Sequence, residues 1–320
     1  MSGTPVLEIR NLTKAFSMPG GRDFYAVRDV SFSVPQGASL GLVGESGCGK
    51  STIARMITKL TEATGGSILL DGDDITHIPE KEHKKRVFSK VQMVFQDPYG
   101  VFSPRMPVGT FLEEGLVFHG VMSRKEASAE AKRLLELVEL PSSLLDRMPH
   151  QLSGGQQQRV VIARAISIKP RLLILDEATS ALDVSVQEGV LKLLMRLQKE
   201  LQLTYLFIGH DLAVVRSIAD RIAVMYAGNL VEEMDSEDLT DTAVHPYTLR
   251  LLESVFSIGD KGKKHIELEN FSLSDKEDNT GCPFAHRCRE AGASCSKEQP
   301  GSRLLEKNHV VKCFHVHGAM

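Results

Sequence analysis

The chain has 320 residues, of which 42% are hydrophobic, enough to bury a sizeable core in two domains or in one domain with an appendage. Its 38 Lys and Arg against 41 Asp and Glu give a formal net charge of −3, so no bulk positive field attracts nucleic acid. No apolar run approaches the about 20 residues that cross a bilayer, and the first residues lack a signal-peptide pattern. We therefore expect a chain that neither spans a membrane nor is secreted, and no nucleic-acid partner.

Three apolar runs without polar alternation predict buried strands at Ala38–Val43, Arg171–Leu175 and Tyr205–Gly209. Segments with helical spacing lie between them, such as Gly189–Gln202. Buried strands interleaved with helices favour a parallel sheet covered on both faces, that is, an α/β fold.

The first of these strands leads into a match to the phosphate-binding pattern G-x-x-x-x-G-K-[ST], in the strand–loop–helix context that the pattern requires. Glycines let the backbone wrap around phosphates, and the N-terminus of the following helix favours negative charge. Lys50 would reach the β- and γ-phosphates, Ser51 would ligate Mg²⁺, and Cys48 is interpreted as a loop residue rather than a metal ligand. The predicted cradle comprises Gly44, Glu45, Ser46, Gly47, Cys48, Gly49, Lys50, Ser51 and the next residue, Thr52.

An acidic pair, Asp176 and Glu177, closes the second predicted strand. Beside a phosphate-binding loop, one carboxylate would hold the Mg²⁺ hydration shell and the other would polarise the attacking water. We therefore predict Asp176 as a magnesium residue and Glu177, with Lys50, as catalytic.

Between these two elements lies the run LSGGQ, which resembles the signature of ATP-binding cassette (ABC) ATPases; the resemblance extends over about the first 250 residues. It implies a P-loop NTPase fold, with a RecA-like core and a helical subdomain at about 97–168, in a nucleotide-binding domain at 1–256. It also implies that the signature loop completes the nucleotide site of a second cassette. The signature residues are Leu152, Ser153, Gly154, Gly155 and Gln156.

Further site residues follow from the same resemblance. Phe16 resembles the aromatic residue that stacks on adenine, and Gln96 resembles the Q-loop glutamine that reaches Mg²⁺. Asp183, at the end of the run SALD, resembles the D-loop aspartate, and His210 resembles the switch histidine that contacts the γ-phosphate. Since the chain has a single P-loop and a single LSGGQ, we expect it to require a second cassette chain.

Two segments, 97–109 (DPYGVFSPRMPVG) and 245–248 (HPYT), resemble the peptide-importer ATPases of the dipeptide, oligopeptide and nickel group, in particular their F-type subunit. The resemblance implies ATP-driven uptake of di- or oligopeptides from the cytoplasmic face of the inner membrane. The implied partners are a distinct second ATPase, two permease subunits and an extracytoplasmic binding protein. Nickel or metallophore uptake by the same engine, a soluble ABC ATPase and a non-hydrolysing binding module remain alternatives.

Residues 257–320 form a predicted polar linker followed by a cysteine-bearing extension. Four of the five cysteines lie in it, Cys282, Cys288, Cys295 and Cys313, without the close pairs typical of zinc ribbons. Four thiolates suit a [4Fe–4S] cluster, and the run GCPFAHRC resembles the cluster motif of peptide-importer ATPases. Zinc and unligated thiols remain open alternatives, since the extension also contains His286, His309, His315 and His317.

Overall fold

The computed structural model describes residues 5–19, 21, 23–256, 280–306 and 308–316. The strands are β1 (Leu7–Ser17), β2 (Asp23–Val34), β3 (Ser39–Val43), β4 (Gly65–Leu70), β5 (Asp73–Asp74), β6 (Val91–Val94), β7 (Leu172–Asp176), β8 (Thr204–Gly209), β9 (Arg221–Tyr226), β10 (Asn229–Asp235), β11 (Arg303–Glu306) and β12 (His309–Val311). The α-helices are α1 (Lys50–Ile57), α2 (Glu80–His83), α3 (Val108–Phe118), α4 (Arg124–Leu137), α5 (Gly154–Ser167), α6 (Val184–Leu201), α7 (Leu212–Ile218), α8 (Leu239–Thr242) and α9 (Pro246–Phe256).

The main sheet has eight strands in the order β11-β12-β10-β9-β3-β8-β7-β6. Its five strands from β9 to β6 are parallel, and the other three are antiparallel. The three predicted strands are β3, β7 and β8, and β8 lies between the other two. The predicted α/β fold with a parallel sheet is therefore confirmed.

Strand β7 shows how both faces of this sheet are buried. Leu172 and Ile174 join a core shared with α1 and β1, whereas Leu173 and Leu175 join a second core shared with α5 and α6. Because neighbouring side chains point to opposite faces, a strand between two cores must be apolar at every position. This accounts for the absence of polar alternation in the sequence.

A second, antiparallel sheet with the order β2-β1-β4-β5 was not predicted from the sequence. Its central strand β1 starts with alternation, since Leu7 and Ile9 are buried while Glu8 and Arg10 lie closer to solvent. Register shifts then interrupt the pairing of β1 with β2. An irregular strand of this kind carries a weaker periodic signal than β3 or β8.

Helices α3, α4 and α5 fall within 97–168, the range expected for the helical subdomain. The ring of Phe102 packs on Phe111 of α3, with ring centroids 4.4 Å apart. A capping box between Ser123 and Glu126 starts α4, with Ser123 N–H donating to the Glu126 carboxylate at 3.0 Å.

The C-terminal extension packs on the first part of the chain. Strand β12 pairs with β10 and continues the main sheet, and Phe284, 1% exposed, joins one of the two cores. The predicted linker lies outside the described residues, apart from its last residue, Thr280. Among the described residues, none of the helices combines the length and the apolar character needed to traverse a bilayer.

Candidate active site

The carboxyl ends of the parallel strands bring the predicted site residues to one edge of the sheet. Val43 of β3 is in register with Gly209 of β8, and Ile208 of β8 is in register with Asp176 of β7. Leu175 of β7 is in turn in register with Val94 of β6. The P-loop, His210, Glu177 and Gln96 follow these strand ends directly, so chain segments far apart in sequence meet there.

The P-loop turns sharply between β3 and α1. Gly49 precedes α1 with φ of +108°, and a Cβ on it would lie 2.2 Å from the carbonyl oxygen of Ala26. Only glycine adopts this conformation against neighbouring backbone without a clash. The loop therefore leaves backbone N–H groups at the start of α1 for an anion.

Lys50 is the first residue of α1, and its residue surface is only 4% exposed. Its ammonium donates to the carbonyl oxygens of Gly44 at 2.7 Å and Glu45 at 3.0 Å, so the charge is held inside the loop. The thiol of Cys48 is buried beside it, and this burial raises the pKa of Cys48. A buried neutral thiol agrees with its interpretation as a loop residue.

Ser51 and Asp176 meet across the site, with the Ser51 hydroxyl donating to Asp176 Oδ1 at 3.0 Å. Burial raises the pKa of Asp176, the Ser51 hydrogen bond opposes this, and the charge of Glu177 adds to the rise. A hydroxyl and a carboxylate oxygen are the ligands that Mg²⁺ prefers, and a nearby cation would relieve the paired negative charge. The donor set thus fits magnesium. Gln96 lies exposed beyond β6.

Glu177 and His210 form an acid–imidazole pair, with His210 Nδ1 3.5 Å from Glu177 Oε2. The backbone of Glu177 has φ of +49°, and its N–H donates to the carbonyl of Ile208 at 2.9 Å. Strained non-glycine backbone of this kind clusters at functional sites. A cleft of about 150 Å³ adjoins the pair.

The signature loop lies at the N-terminus of α5, which is capped by its own side chains and exposed to solvent at Ser153 and Gly154. Ser153 precedes α5, its hydroxyl accepts from the Gln156 N–H at 3.4 Å, and its own N–H donates to Gln156 Oε1 at 3.0 Å. Ser153 and Gly154 are exposed, while a Cβ on Gly155 would lie 2.4 Å from Val186 of α6. The loop therefore packs against α6 and faces solvent at its tip.

Two more predicted residues lie at the surface. The ring of Phe16 on β1 is 42% exposed, with the Lys14 ammonium 4.9 Å from its centroid. Exposure of this ring is compatible with stacking on a base. Asp183 is exposed and precedes α6.

The four cysteines of the extension lie near one another, and all are free. Burial is the first cause that raises the pKa of Cys282, Cys288 and Cys313, and charge on neighbouring cysteines adds to it. Cys295 Sγ lies 3.4 Å from His315 Nε2. Within the described ranges, however, no group of three or more His, Cys, Asp or Glu side chains has the arrangement of a metal site.

The histidines of the extension, which supported the zinc alternative, have different surroundings. His309 Nε2 lies 3.0 Å from a buried Glu232 oxygen, and His286 lies 3.5 Å from the Tyr226 hydroxyl. His317 lies outside the described residues. His315 is placed against the sulfur of Cys295.

Sequence reasoning missed two residues that contact the P-loop from the C-terminal side. The Tyr247 hydroxyl accepts from the Glu45 N–H at 3.0 Å, and Arg287 forms a salt bridge with the Glu45 carboxylate at 3.0 Å. The HPYT motif drew attention to Tyr247 without assigning it a contact. Arg287 lies within the run GCPFAHRC, but that motif assigned it no contact, and its partner Glu45 is 242 residues away.

A phosphate-binding loop facing an acidic strand end on a parallel sheet defines a P-loop ATPase. The family described as "ABC transporter" matches residues 27–180, and that described as "Oligopeptide/dipeptide transporter, C-terminal region" matches residues 231–295. The oligopeptide transport ATP-binding protein AppF of Bacillus subtilis is 41% identical over 317 residues, which cover 96% of each chain.

Two solved structures are also similar. A dimeric post-hydrolysis state of the ATP-binding cassette MJ0796, bound to ADP and phosphate, has a TM-score of 0.65 and 32% identity, covering 72% of this chain and 98% of its own. CbiO1 of Clostridium perfringens, part of an ABC transporter complex, has a TM-score of 0.67 and 26% identity, covering 78% and 95%. The chain belongs to the ABC transporter ATP-binding proteins that carry the oligopeptide/dipeptide C-terminal region, and it is an ABC ATPase.

Proposed function

We propose that the chain is the ATP-hydrolysing subunit of an importer for di- or oligopeptides. The observation that carries the proposal is the joint geometry of Lys50 in its loop, Ser51 bonded to Asp176 at 3.0 Å, and Glu177 3.5 Å from His210. The relative named for oligopeptide transport supports the peptide class, since its likeness extends through the C-terminal extension. The same engine serving nickel or metallophore uptake is the second candidate.

In this account the chain positions ATP and the attacking water rather than forming covalent bonds with them. Lys50 and the N–H groups at the start of α1 hold the phosphates, and Phe16 stacks on the adenine. Ser51, Asp176 and Gln96 would hold Mg²⁺, which would neutralise charge on the phosphates. Glu177 accepts a proton from the attacking water, and His210 contacts the γ-phosphate.

A second cassette completes the site. Ser153, Gly154, Gly155 and Gln156 reach the γ-phosphate held by the partner cassette, and Asp183 lies at the same contact. The exposed N-terminus of α5 supports this role, because an uncovered helix terminus attracts an anion from another chain. We propose a heterodimer with a distinct ATPase chain, bound to two permeases at the cytoplasmic face of the inner membrane and served by an extracytoplasmic binding protein.

For the extension we propose a [4Fe–4S] cluster on Cys282, Cys288, Cys295 and Cys313. Four thiols are the ligand type that such a cluster takes, and a small extension gains stability from such a staple. Visible absorption with iron and sulfide analysis of anaerobically purified protein tests it, and a blank result on both contradicts it. Stoichiometric zinc in the same sample would support the zinc alternative.

Two substitutions test the ATPase assignment in the assembled transporter. Glu177→Gln keeps the size of the side chain but removes the base, so we expect ATP to bind normally while hydrolysis falls by at least about 100-fold. Lys50→Ala removes the charge that holds the phosphates, so we expect ATP binding itself to weaken. An unchanged hydrolysis rate in Glu177→Gln, or unchanged ATP affinity in Lys50→Ala, would contradict these roles.

A further inference from the structure

The C-terminal extension holds the second residue of the P-loop with a two-pronged ion pair. Arg287 Nη1 lies 3.0 Å from Glu45 Oε2, and Arg287 Nη2 lies 3.1 Å from Glu45 Oε1. The two side chains are only 14% and 20% exposed. This fork-to-fork geometry is the strong form of an arginine–carboxylate pair, and partial burial limits its screening by salt.

The backbone of Glu45 is held from the same side. Its N–H donates to the hydroxyl of Tyr247, a fully buried residue whose ring lies 4.7 Å from the ring of Tyr226 and 5.4 Å from that of Phe284. Arg287 also donates to the Tyr226 hydroxyl at 3.4 Å. Arg287 is thus seated on a packed aromatic cluster (Tyr226, Tyr247 and Phe284) and has a defined position.

The charge of Glu45 matters because of where it lies. A carboxylate in a loop that binds a triphosphate repels that ligand, and the repulsion is strong where solvent is partly excluded. Moreover, the carbonyl of Glu45 accepts from the Lys50 ammonium at 3.0 Å, so the backbone position of Glu45 also bears on the lysine that holds the phosphates.

We propose that Arg287 is a positioning residue for nucleotide binding. It neutralises the Glu45 carboxylate and, together with Tyr247, fixes the P-loop backbone, so that the C-terminal extension tunes the affinity for ATP. This inference rests on the proposed function, because it requires the P-loop to bind ATP. It assigns to the extension a direct part in nucleotide binding.

ATP titration of the purified full-length chain tests the proposal. We expect Arg287→Ala to weaken ATP binding by about 5- to 20-fold. Arg287→Lys retains the charge but loses the two-pronged geometry, so its ATP affinity should lie between those of the wild type and Arg287→Ala. Adding Glu45→Gln to Arg287→Ala should restore most of the affinity, because it removes the uncompensated charge. Arg289→Ala alters an exposed arginine of the same extension and should bind ATP like the wild type.

The melting temperature, measured in parallel, separates positioning from a structural role. Wild-type affinity in Arg287→Ala overturns the proposal, as does a loss that Glu45→Gln does not restore and that matches a drop in melting temperature. If the wild type binds no ATP, or Lys50→Ala binds as well as the wild type, the proposed function itself fails. If Lys50→Ala loses binding while Arg287→Ala does not, only the present inference fails.

Discussion

Asp176 and Glu177 are adjacent carboxylates with different surroundings. Asp176 ends a strand and accepts the Ser51 hydrogen bond, which directs its carboxylate toward the start of α1. Glu177 leaves the strand with φ of +49°, which turns its side chain toward His210. Backbone strain of this kind costs roughly 1–3 kcal/mol and persists because packing over-determines it. The turn at Glu177 thus separates the proposed magnesium residue, Asp176, from the proposed base, Glu177.

The close approach of Gly49 to the Ala26 carbonyl predicts that a side chain at position 49 impairs both stability and ATP binding. Gly49→Ala should destabilise the protein by roughly 1–3 kcal/mol more than Gly47→Ala and should weaken ATP binding further, because its Cβ would meet the Ala26 carbonyl. Gly47 is the matched control, since it also has positive φ but a methyl group added there would enter open space. Urea unfolding and ATP titration measure both effects, and equal losses in the two variants would contradict the steric argument.

At the scale of elements, the start of α9 depends on a buried histidine. His245 is 1% exposed; its Nδ1 accepts from the Tyr247 N–H at 3.1 Å, and its own N–H donates to the Glu232 carboxylate. Burial lowers the pKa of His245 to about 4 from its ordinary 6.5, although the charge of Glu232 opposes this. The imidazole is therefore a neutral helix cap that positions Tyr247 beneath the P-loop.

This cap predicts a pH dependence of stability. The unfolded chain protonates His245 below pH 6.5, whereas the folded chain resists until about pH 4, so its stabilisation is complete above pH 6.5 and is lost as the pH falls. His245→Asn keeps a cap acceptor without a titrating group. Between pH 6.5 and 4 the wild type should lose about 3 kcal/mol more than this variant in urea unfolding. Parallel stability curves would contradict the prediction.

Some elements could be predicted from the sequence because their signal is local. Strands β3 and β8 are buried at every position, so each appears as an uninterrupted apolar run. The site residues that follow β3, β7 and β8 could be predicted once these strands were recognised. Parallel strands bring their carboxyl ends to one edge of the sheet, so the residues after them lie close together.

Other features depend on contacts between distant segments. Strands β11 and β12 have four and three residues, too short for a periodic signal, and β12 is stabilised by its pairing with β10. The Arg287–Glu45 pair joins residues 242 apart, so no local pattern predicts it. The cysteine spacing, likewise, predicts a donor set but cannot fix its arrangement in space.

At the scale of the whole molecule, the extension is part of one continuous core with the ATPase fold. Strand β12 covers the edge of β10, and Phe284 packs against the rings of Tyr226 and Tyr247. Covering a strand edge also protects it from pairing with other chains. The extension therefore bears on folding as well as on the P-loop.

Substitution of Phe284 measures how much this packing contributes to the free energy of unfolding. Phe284→Ala should lower the free energy of unfolding by roughly 3–5 kcal/mol, because it empties a site that is 1% exposed. Leu304→Ala, at a 70% exposed position of the same extension, should change it by less than about 0.5 kcal/mol. Chemical denaturation compares the two variants, and similar small effects would show that the extension packs loosely.

Purification of the tagged chain from detergent-solubilised native membranes, with identification of every chain that accompanies it, tests whether the chain powers a peptide importer. We expect two permease subunits and a second, different cassette in stoichiometric amounts. Recovery from the soluble fraction, alone or with nucleic-acid-binding proteins, would contradict it.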